Sequence, residues 1–461
     1  MMRRRYQILF FLLFTFGCSS QVLDPDEVEY GHEIPDSLYS VRCYLQHYQD
    51  SVINSVSDAS LIEDPLFYYN RGVINAVKKA YQLTDMRFVP QNTIYGNRRS
   101  YLPGNEYQGM IYSSVKETGT WVGRSVSLYT FFTALNNPRS KLYSVKLDEF
   151  PFHGTNCRSY YGTVCSGLVS YALGLSPSYG TYDFNVSDEM VDIQYTTPDS
   201  LQIADVLWRV GHVALITDII KNIRTDRVSR VEICEATQDG CVKYYLSRES
   251  FAELIGETFK SVFRYQRMSD NVHYSPCREF IPVLDEEPLT PQYKGFICVD
   301  KGDRSCYLEG EDVVINVLSS YSRIDVYKDE HLLNTFDSSF GMDILLQNLA
   351  FGRYRAQVYT IDGNTDITEW IVVNHSVYTD ANDNVVFFSS ANAIPCNFSF
   401  RKITGSRTYP STRLYNHNFT EDEIVAGKAI VPREKIMPEC PFYMVSFSTE
   451  FGVVSLSPQP W

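Results

Sequence analysis

The hydrophobic period of this 461-residue chain changes once, at a proline- and acid-rich stretch between Pro276 and Gln292, PCREFIPVLDEEPLTPQ. Before it, residues 71–85 (RGVINAVKKAYQLTD) set Val73, Ile74, Val77, Ala80 and Tyr81 at helical spacing, which predicts an amphipathic helix. Helix and strand patterns then mix as far as Arg267. After the stretch, short alternating runs follow one another at residues 313–317, 324–327, 354–359 and 370–373, parted by turn residues such as Asp362-Gly363-Asn364. A period of two with no helical period beside it predicts strands that bury one face against a second sheet. Residues 376–461 repeat that texture at 385–388 and 442–447. The pattern therefore divides the chain into an α+β domain over residues 61–275, a linker over 276–292, an Ig-like β domain over 293–375 and a second β domain over 376–461.

Composition narrows the partners. A hydrophobic share of 44% with 21% charged residues is that of folded protein and excludes wholesale disorder. A net charge of −14 with no basic patch excludes nucleic acid as a partner. The 34 tyrosines and 27 phenylalanines suit strand-rich structure. At the start, Arg3, Arg4 and Arg5 precede an apolar run from Tyr6 to Gly17, too short to span a bilayer that needs about 20 residues. This is the pattern of a secretory signal. Its end, Thr15-Phe16-Gly17-Cys18-Ser19-Ser20, resembles the lipobox of bacterial lipoproteins. The resemblance implies a signal peptide over residues 1–17, lipid attachment at Cys18, a tether over 18–60, and an exported protein held to a membrane by lipid in the bacterial cell envelope.

The remaining cysteines form no Cys-x-x-Cys pair, which excludes a zinc ribbon or thioredoxin motif. The histidines at 32, 47, 153, 273, 331, 375 and 417 lack ligand-spaced neighbours, so no metal and no cofactor is expected. An exported location permits disulfides, and Cys298 with Cys306, or Cys396 with Cys440, could pair within their own domains.

Chemistry concentrates in two blocks. In Tyr160-Tyr161-Gly162-Thr163-Val164-Cys165-Ser166-Gly167-Leu168-Val169-Ser170-Tyr171-Ala172-Leu173-Gly174, apolar residues at 168, 169, 172 and 173 predict a short helix capped by Gly174. Cys165 then lies at the helix N-terminus, where unpaired N–H groups favour thiolate. A thiolate nucleophile needs a base. Asp205-Val206-Leu207-Trp208 leads into Gly211-His212-Val213-Ala214, a strand start, and Val231-Glu232-Ile233-Cys234-Glu235 forms its hairpin partner. Facing His212 with Glu235 also faces Ala214 with Ile233 and Ile216 with Val231, which lets the carboxylate orient the imidazole. A one-residue slip sends Glu235 to the opposite face, and Glu232 is the fallback orienter.

Cys-Ser-Gly opening a helix, then Asp-Val-Leu…Gly-His-Val-Ala, then a polar residue on the next strand, resembles the NlpC family of papain-like cell-wall peptidases, with Glu third as in the related CHAP amidases. The match covers residues 100–260. It implies an α+β papain-like catalytic domain in which Cys165 attacks an amide carbonyl, His212 relays the proton and Glu235 orients His212. The substrate implied is a peptide amide of peptidoglycan stems. Gln108-Gly109-Met110-Ile111-Tyr112 resembles the family's Gly-x-Pro-Tyr motif with Ile111 in place of proline, which makes Tyr112 a candidate substrate-binding residue and Tyr161 its competitor. Ser166 is a candidate donor to substrate. Val164 stands where many members have an aspartate for the substrate's free amine. An acyltransferase on the same scaffold, and an inactive envelope scaffold, are the alternative readings.

Overall fold

The structure, a computed structural model, describes residues 37–55, 65–96, 99–112, 128–144, 161–175, 180–272, 295–389, 396–402, 412–436, 442–449, 452–455 and 459–460. The signal, Cys18 and the proline-rich linker lie outside them, as does Cys440.

A seven-stranded, wholly antiparallel sheet organises the N-terminal unit. Its strands are β1 (Leu38–Ser40), β2 (Met190–Asp192), β3 (Val206–Arg209), β4 (His212–Asn222), β5 (Val228–Thr237), β6 (Gly240–Ser247) and β7 (Ser261–Tyr265). They lie in the order β6-β5-β4-β3-β7-β2, with β3 on the first half of β4 and β1 on its last residues. The first nine residues of β4, HVALITDII, are all buried, as a strand covered on both faces must be. Helices α1 (Val41–Ser55) and α4 (Cys165–Leu173) pack on β4, α2 (Pro65–Thr84) packs on α4, and α5 (Arg248–Glu257) covers β5 and β6. A further helix, α3 (Leu128–Leu135), turns toward the β domains. The helix expected over 71–85 is α2, which starts six residues earlier at Pro65, a residue whose fixed φ suits a first turn.

The tether is shorter than expected. Residues 38–55 form β1 and α1, and Asp218, fully buried on β4, accepts both Ser40 Oγ (2.8 and 2.9 Å) and the Arg42 N–H (3.1 Å). Their polar composition reads as a linker, yet these polar groups are the ones that satisfy a buried carboxylate.

Two β-sandwiches follow. In the first, β8 (Ile297–Val299), β10 (Val313–Val317) and β13 (Asp343–Leu346) pair as one sheet, ordered β8-β10-β13. The other contains β9 (Ser305–Leu308), β11 (Tyr321–Lys328), β12 (His331–Asp337), β14 (Gly352–Thr360) and β15 (Thr365–Val373), ordered β9-β15-β14-β11-β12. Ile315 and Ile344 from one sheet and Ile324, Val358 and Trp370 from the other share one core, where Trp370 stacks on Tyr354 at 5.5 Å. The second sandwich, residues 375–460, sets the strands His375–Thr379, Asn384–Ser389 and Lys428–Pro432 against a sheet around Cys396–Lys402 and Phe442–Thr449, with Phe387 stacked on Phe398 across the two at 4.8 Å. A two-sheet β architecture thus holds for both, the second carrying one short helix, Glu421–Ala426. Cys298 and Cys306 form no disulfide with each other: Cys298 Sγ turns to the Thr133 carbonyl and Cys306 Sγ to the Tyr307 carbonyl, each at 4.0 Å.

The first sandwich is docked on the N-terminal unit. Thr130 Oγ1 donates to the Asp303 carbonyl (2.9 Å), the Asp303 N–H donates to Thr133 Oγ1 (2.7 Å), Asn137 Nδ2 donates to Asn316 Oδ1 (2.8 Å), and Lys141 pairs with Asp300 at 3.0 Å. One buried apolar cluster runs from the N-terminal core through Cys306, Ile371 and Val373 into the core of the second sandwich.

Candidate active site

The segment before α4 is held in place by residues 109–112. Gly109, at φ +82°, donates to the Met86 carbonyl (2.9 Å), and a Cβ there would stand 2.0 Å from the Cys241 carbonyl oxygen. The Cys241 N–H then donates to the Met110 carbonyl (2.9 Å) and the Thr163 N–H to the Ile111 carbonyl (3.0 Å), while Tyr112 bridges Thr163 in parallel. Val164 is extended and supplies no side-chain cap to α4, so its first N–H groups are left for the thiol. Cys165 is buried there, and the helix ends on Gly174 at φ +69°, whose N–H donates to the Tyr171 carbonyl.

His212 comes from the hairpin. β3 and β4 are joined by the two-residue turn Val210-Gly211, with Arg209 directly opposite His212. The β4–β5 register differs from the one expected. Leu215 pairs with Cys234 and Ile216 with Ile233, so Glu235 sits two places away from the position facing His212. A two-residue offset preserves the face, and the carboxylate reaches the ring diagonally: His212 Nε2 lies 2.5 Å from Glu235 Oε2. Tyr244 on β6 donates to the other oxygen, Oε1, at 2.8 Å. Phe259 stacks on the imidazole at 5.9 Å and 29°. With Nε2 committed to Glu235, Nδ1 remains for the Cys165 thiol, with which His212 is hydrogen-bonded.

The three groups polarise one another. Burial raises the Cys165 thiol, but the hydrogen bond to His212, its positive charge, and the N–H groups of Val213 and Ser166 together carry it below the ordinary thiol range. Burial lowers His212, yet the bonds and charges of Cys165 and Glu235 push it up to about 10. Glu235, despite burial, is held below the usual carboxylate range by His212 and Tyr244. These directions favour a thiolate–imidazolium pair beside a carboxylate, the arrangement a cysteine nucleophile needs.

Of the residues singled out in the sequence, Cys165, His212 and Glu235 come together. Ser166, next to the nucleophile, is fully buried and its Oγ has no hydrogen-bond partner. Tyr112 is half-buried beside the strand that delivers Cys165. Tyr161 does not line a pocket. It is 2% exposed and its hydroxyl donates to the Lys301 carbonyl of the first sandwich (3.1 Å), so it fastens two domains. Glu232 points from the opposite face of β5, where Tyr81 and Thr217 (2.7 Å) donate to it. Tyr244 and Phe259 were not anticipated; Tyr244 shares the strand parity of Ile233, its partner across β6, which is the one signal the sequence offered. Asp205 is buried and bidentate to Arg264 at 2.8 Å, locking β3 against β7. Among the described residues no group of three or more His, Cys, Asp and Glu side chains could hold a metal ion.

No protein-family profile matches the chain, and no curated protein matches it. Among solved structures, fibronectin(III)-like modules of Clostridium thermocellum CbhA are 13% identical and align over 35% of this chain and 85% of theirs, at a TM-score of 0.15. Bacteroides ovatus mixed-linkage glucan utilization locus SGBP-B, solved in complex with a mixed-linkage heptasaccharide, is 12% identical over 59% of this chain and 73% of that one, also at 0.15.

Proposed function

We propose that this chain is a papain-like, NlpC-type cysteine peptidase or amidase of the bacterial cell envelope, hydrolysing peptide amides of peptidoglycan stems. One observation carries the reading: a buried cysteine at a helix N-terminus is hydrogen-bonded to a histidine whose far nitrogen lies 2.5 Å from a carboxylate. The Cys165 thiolate attacks the scissile carbonyl carbon and a C–S bond forms. His212 gives its proton to the leaving amine as the C–N bond breaks, leaving a thioester. His212 then takes a proton from water, whose oxygen attacks the thioester carbonyl; the C–S bond breaks and the thiolate–imidazolium pair is restored. Glu235 holds the ring and stabilises its cation throughout.

Mass spectrometry of peptidoglycan digested by the protein, beside its Cys165→Ala variant, tests the activity: new amine and carboxylate termini that require Cys165 are expected, and identical digests sink the reading. Lipid at Cys18 places the enzyme on a membrane in this proposal, and Cys18→Ser is expected to move it from the membrane fraction to the soluble one. No described helix is long and apolar enough to cross a bilayer.

A further inference from the structure

We propose that Arg209 is the specificity residue of this site, and that the substrate carries a free carboxylate next to the scissile amide. The inference rests on the peptidase reading and deepens it. Arg209 ends β3 and is the direct Cα partner of His212 across the Val210-Gly211 turn. Directly opposed residues of an antiparallel pair project from one face with Cβ atoms about 4.5–5.5 Å apart, so the guanidinium stem stands beside the catalytic imidazole. Glu235 shares that face through its bond to His212, and the positive charge of Arg209 is among the influences that keep its carboxyl ionised.

What sets Arg209 apart is that its hydrogen-bond donors are unspent. Among the described residues it makes no hydrogen bond and no ion pair, and its Nε is buried with no partner. The other charged groups around the site are occupied. Glu235 gives one oxygen to His212 and the other to Tyr244. Asp205 is taken by Arg264, and Glu232 lies on the far face. The residue before the nucleophile is Val164, fully buried and apolar. Among the described residues a substrate ammonium therefore meets no free carboxylate here, whereas a substrate carboxylate meets a guanidinium with an unmade Nε–H bond. Arginine offers the planar fork that a carboxylate fits, and a half-buried position strengthens the bond over its value in water.

The test uses N-acetyl-L-Ala-γ-D-Glu-L-Lys with its D-Glu α-carboxylate free, and the same peptide with that group as a carboxamide. Calorimetric titration into the Cys165→Ala protein is expected to show the acid binding about 10- to 100-fold more tightly, the range of a charge-assisted hydrogen bond. Adding Arg209→Ala should erase the preference, and Arg209→Lys should restore part of it. Equal affinities in the Cys165→Ala protein, binding of neither peptide, or a preference that survives Arg209→Ala overturns the proposal. A second measurement separates recognition from positioning. With Cys165 in place, Arg209→Ala should shift the pH profile of Cys165 alkylation by iodoacetamide much less than Glu235→Ala does; an equal shift means that Arg209 acts through Glu235 and overturns it too. Failure of the peptidase reading looks different: the acid peptide binds with the expected preference and is not cleaved by the wild-type protein.

Discussion

Two glutamates stand three places apart on β5, Glu232 buried and Glu235 partly so, and their surroundings drive them in opposite directions. Glu235 faces the imidazole of His212 and the hydroxyl of Tyr244 and is held ionised. Glu232 faces Tyr81 and Thr217, with the buried Asp218 near it, and burial and that neighbour raise its carboxyl above the usual range. One strand thus supplies a carboxylate to the Cys165–His212 face and, to the other, a packing carboxyl that burial pushes upward. Alternation is the whole mechanism of the division, since successive residues of a strand must leave on opposite sides.

The largest effect that can break this assignment concerns the pair that Glu235 serves. Cys165→Ala or His212→Ala alone should abolish amide hydrolysis, and the double variant should be scarcely slower than either, because a nucleophile and its base act as one device. Additive losses in kcat would separate the two residues. Alkylation gives the same information without a substrate. Because His212 holds the Cys165 thiol below its ordinary range, reaction with iodoacetamide should rise at a pH lower than for a free cysteine and should not fall when His212 loses its proton at about 10, since the thiolate remains. His212→Ala should move that rise upward, since burial is then opposed only by the N–H groups of Val213 and Ser166.

Next in size is Glu235 itself. Glu235→Ala should lower kcat by roughly 10²–10⁴, as for orienting carboxylates in other triads, with KM nearly unchanged. Glu235→Gln should recover part of this, because an amide oxygen still accepts the imidazole N–H. Glu232→Ala should instead change kcat less than about twofold while costing about 1–3 kcal/mol of stability in urea unfolding, the penalty of leaving the Tyr81 and Thr217 hydroxyls without their acceptor. If Glu232→Ala were the variant that lost activity, the faces would be exchanged.

The contrast also measures how far residues alone could lead. Local signals were legible: the helix cap at Gly174, the cysteine at the helix start, and the parity that sets His212 and Glu235 on one face all depend on near neighbours. Register was not. The bulge between Ile216 and Asp218 shifts β4 against β5, and nothing in either strand announces it. Glu235 still meets His212 because the offset there is even; an odd one would have turned Glu235 to the other face. Partners distant in sequence were equally invisible. Tyr161 reads as a pocket residue until the Lys301 carbonyl, 140 residues away, takes its hydroxyl. Residues 38–55 read as tether because their polar groups belong to Asp218, 176 to 178 residues on. The sandwiches were easier, since a period of two needs only its own strand. The strand His331–Asp337, almost entirely exposed at an edge, carries no such period and went unread.

The smallest effect is the most specific to the comparison, because the two glutamates should tilt stability against pH in opposite senses. Glu235 has a folded value below its unfolded one, ordinarily about 4.3. A depressed carboxylate stabilises the fold above the unfolded value, and the contribution is lost as pH falls through the folded value. The gap between wild type and Glu235→Gln should therefore be widest above about pH 4.3 and close as the solution is acidified. Glu232 has a folded value above the unfolded one. Its carboxyl holds a proton more tightly in the fold, so the fold loses ground as pH climbs from the unfolded value to the raised one. Against Glu232→Gln, wild type should weaken over that climb. His212 adds a third slope. Its folded value near 10 stabilises the protein fully below the ordinary histidine value and is lost as pH rises through the folded one. Glu235→Gln removes part of what raises it, so that variant should begin its alkaline loss of stability at a lower pH than wild type. Melting temperatures of the three proteins from pH 3 to 11 would read all of this. Slopes of one sign for both glutamine variants in the acid range would mean that the two carboxylates share one environment, and the separation of a catalytic face from a packing face on β5 would fail with them.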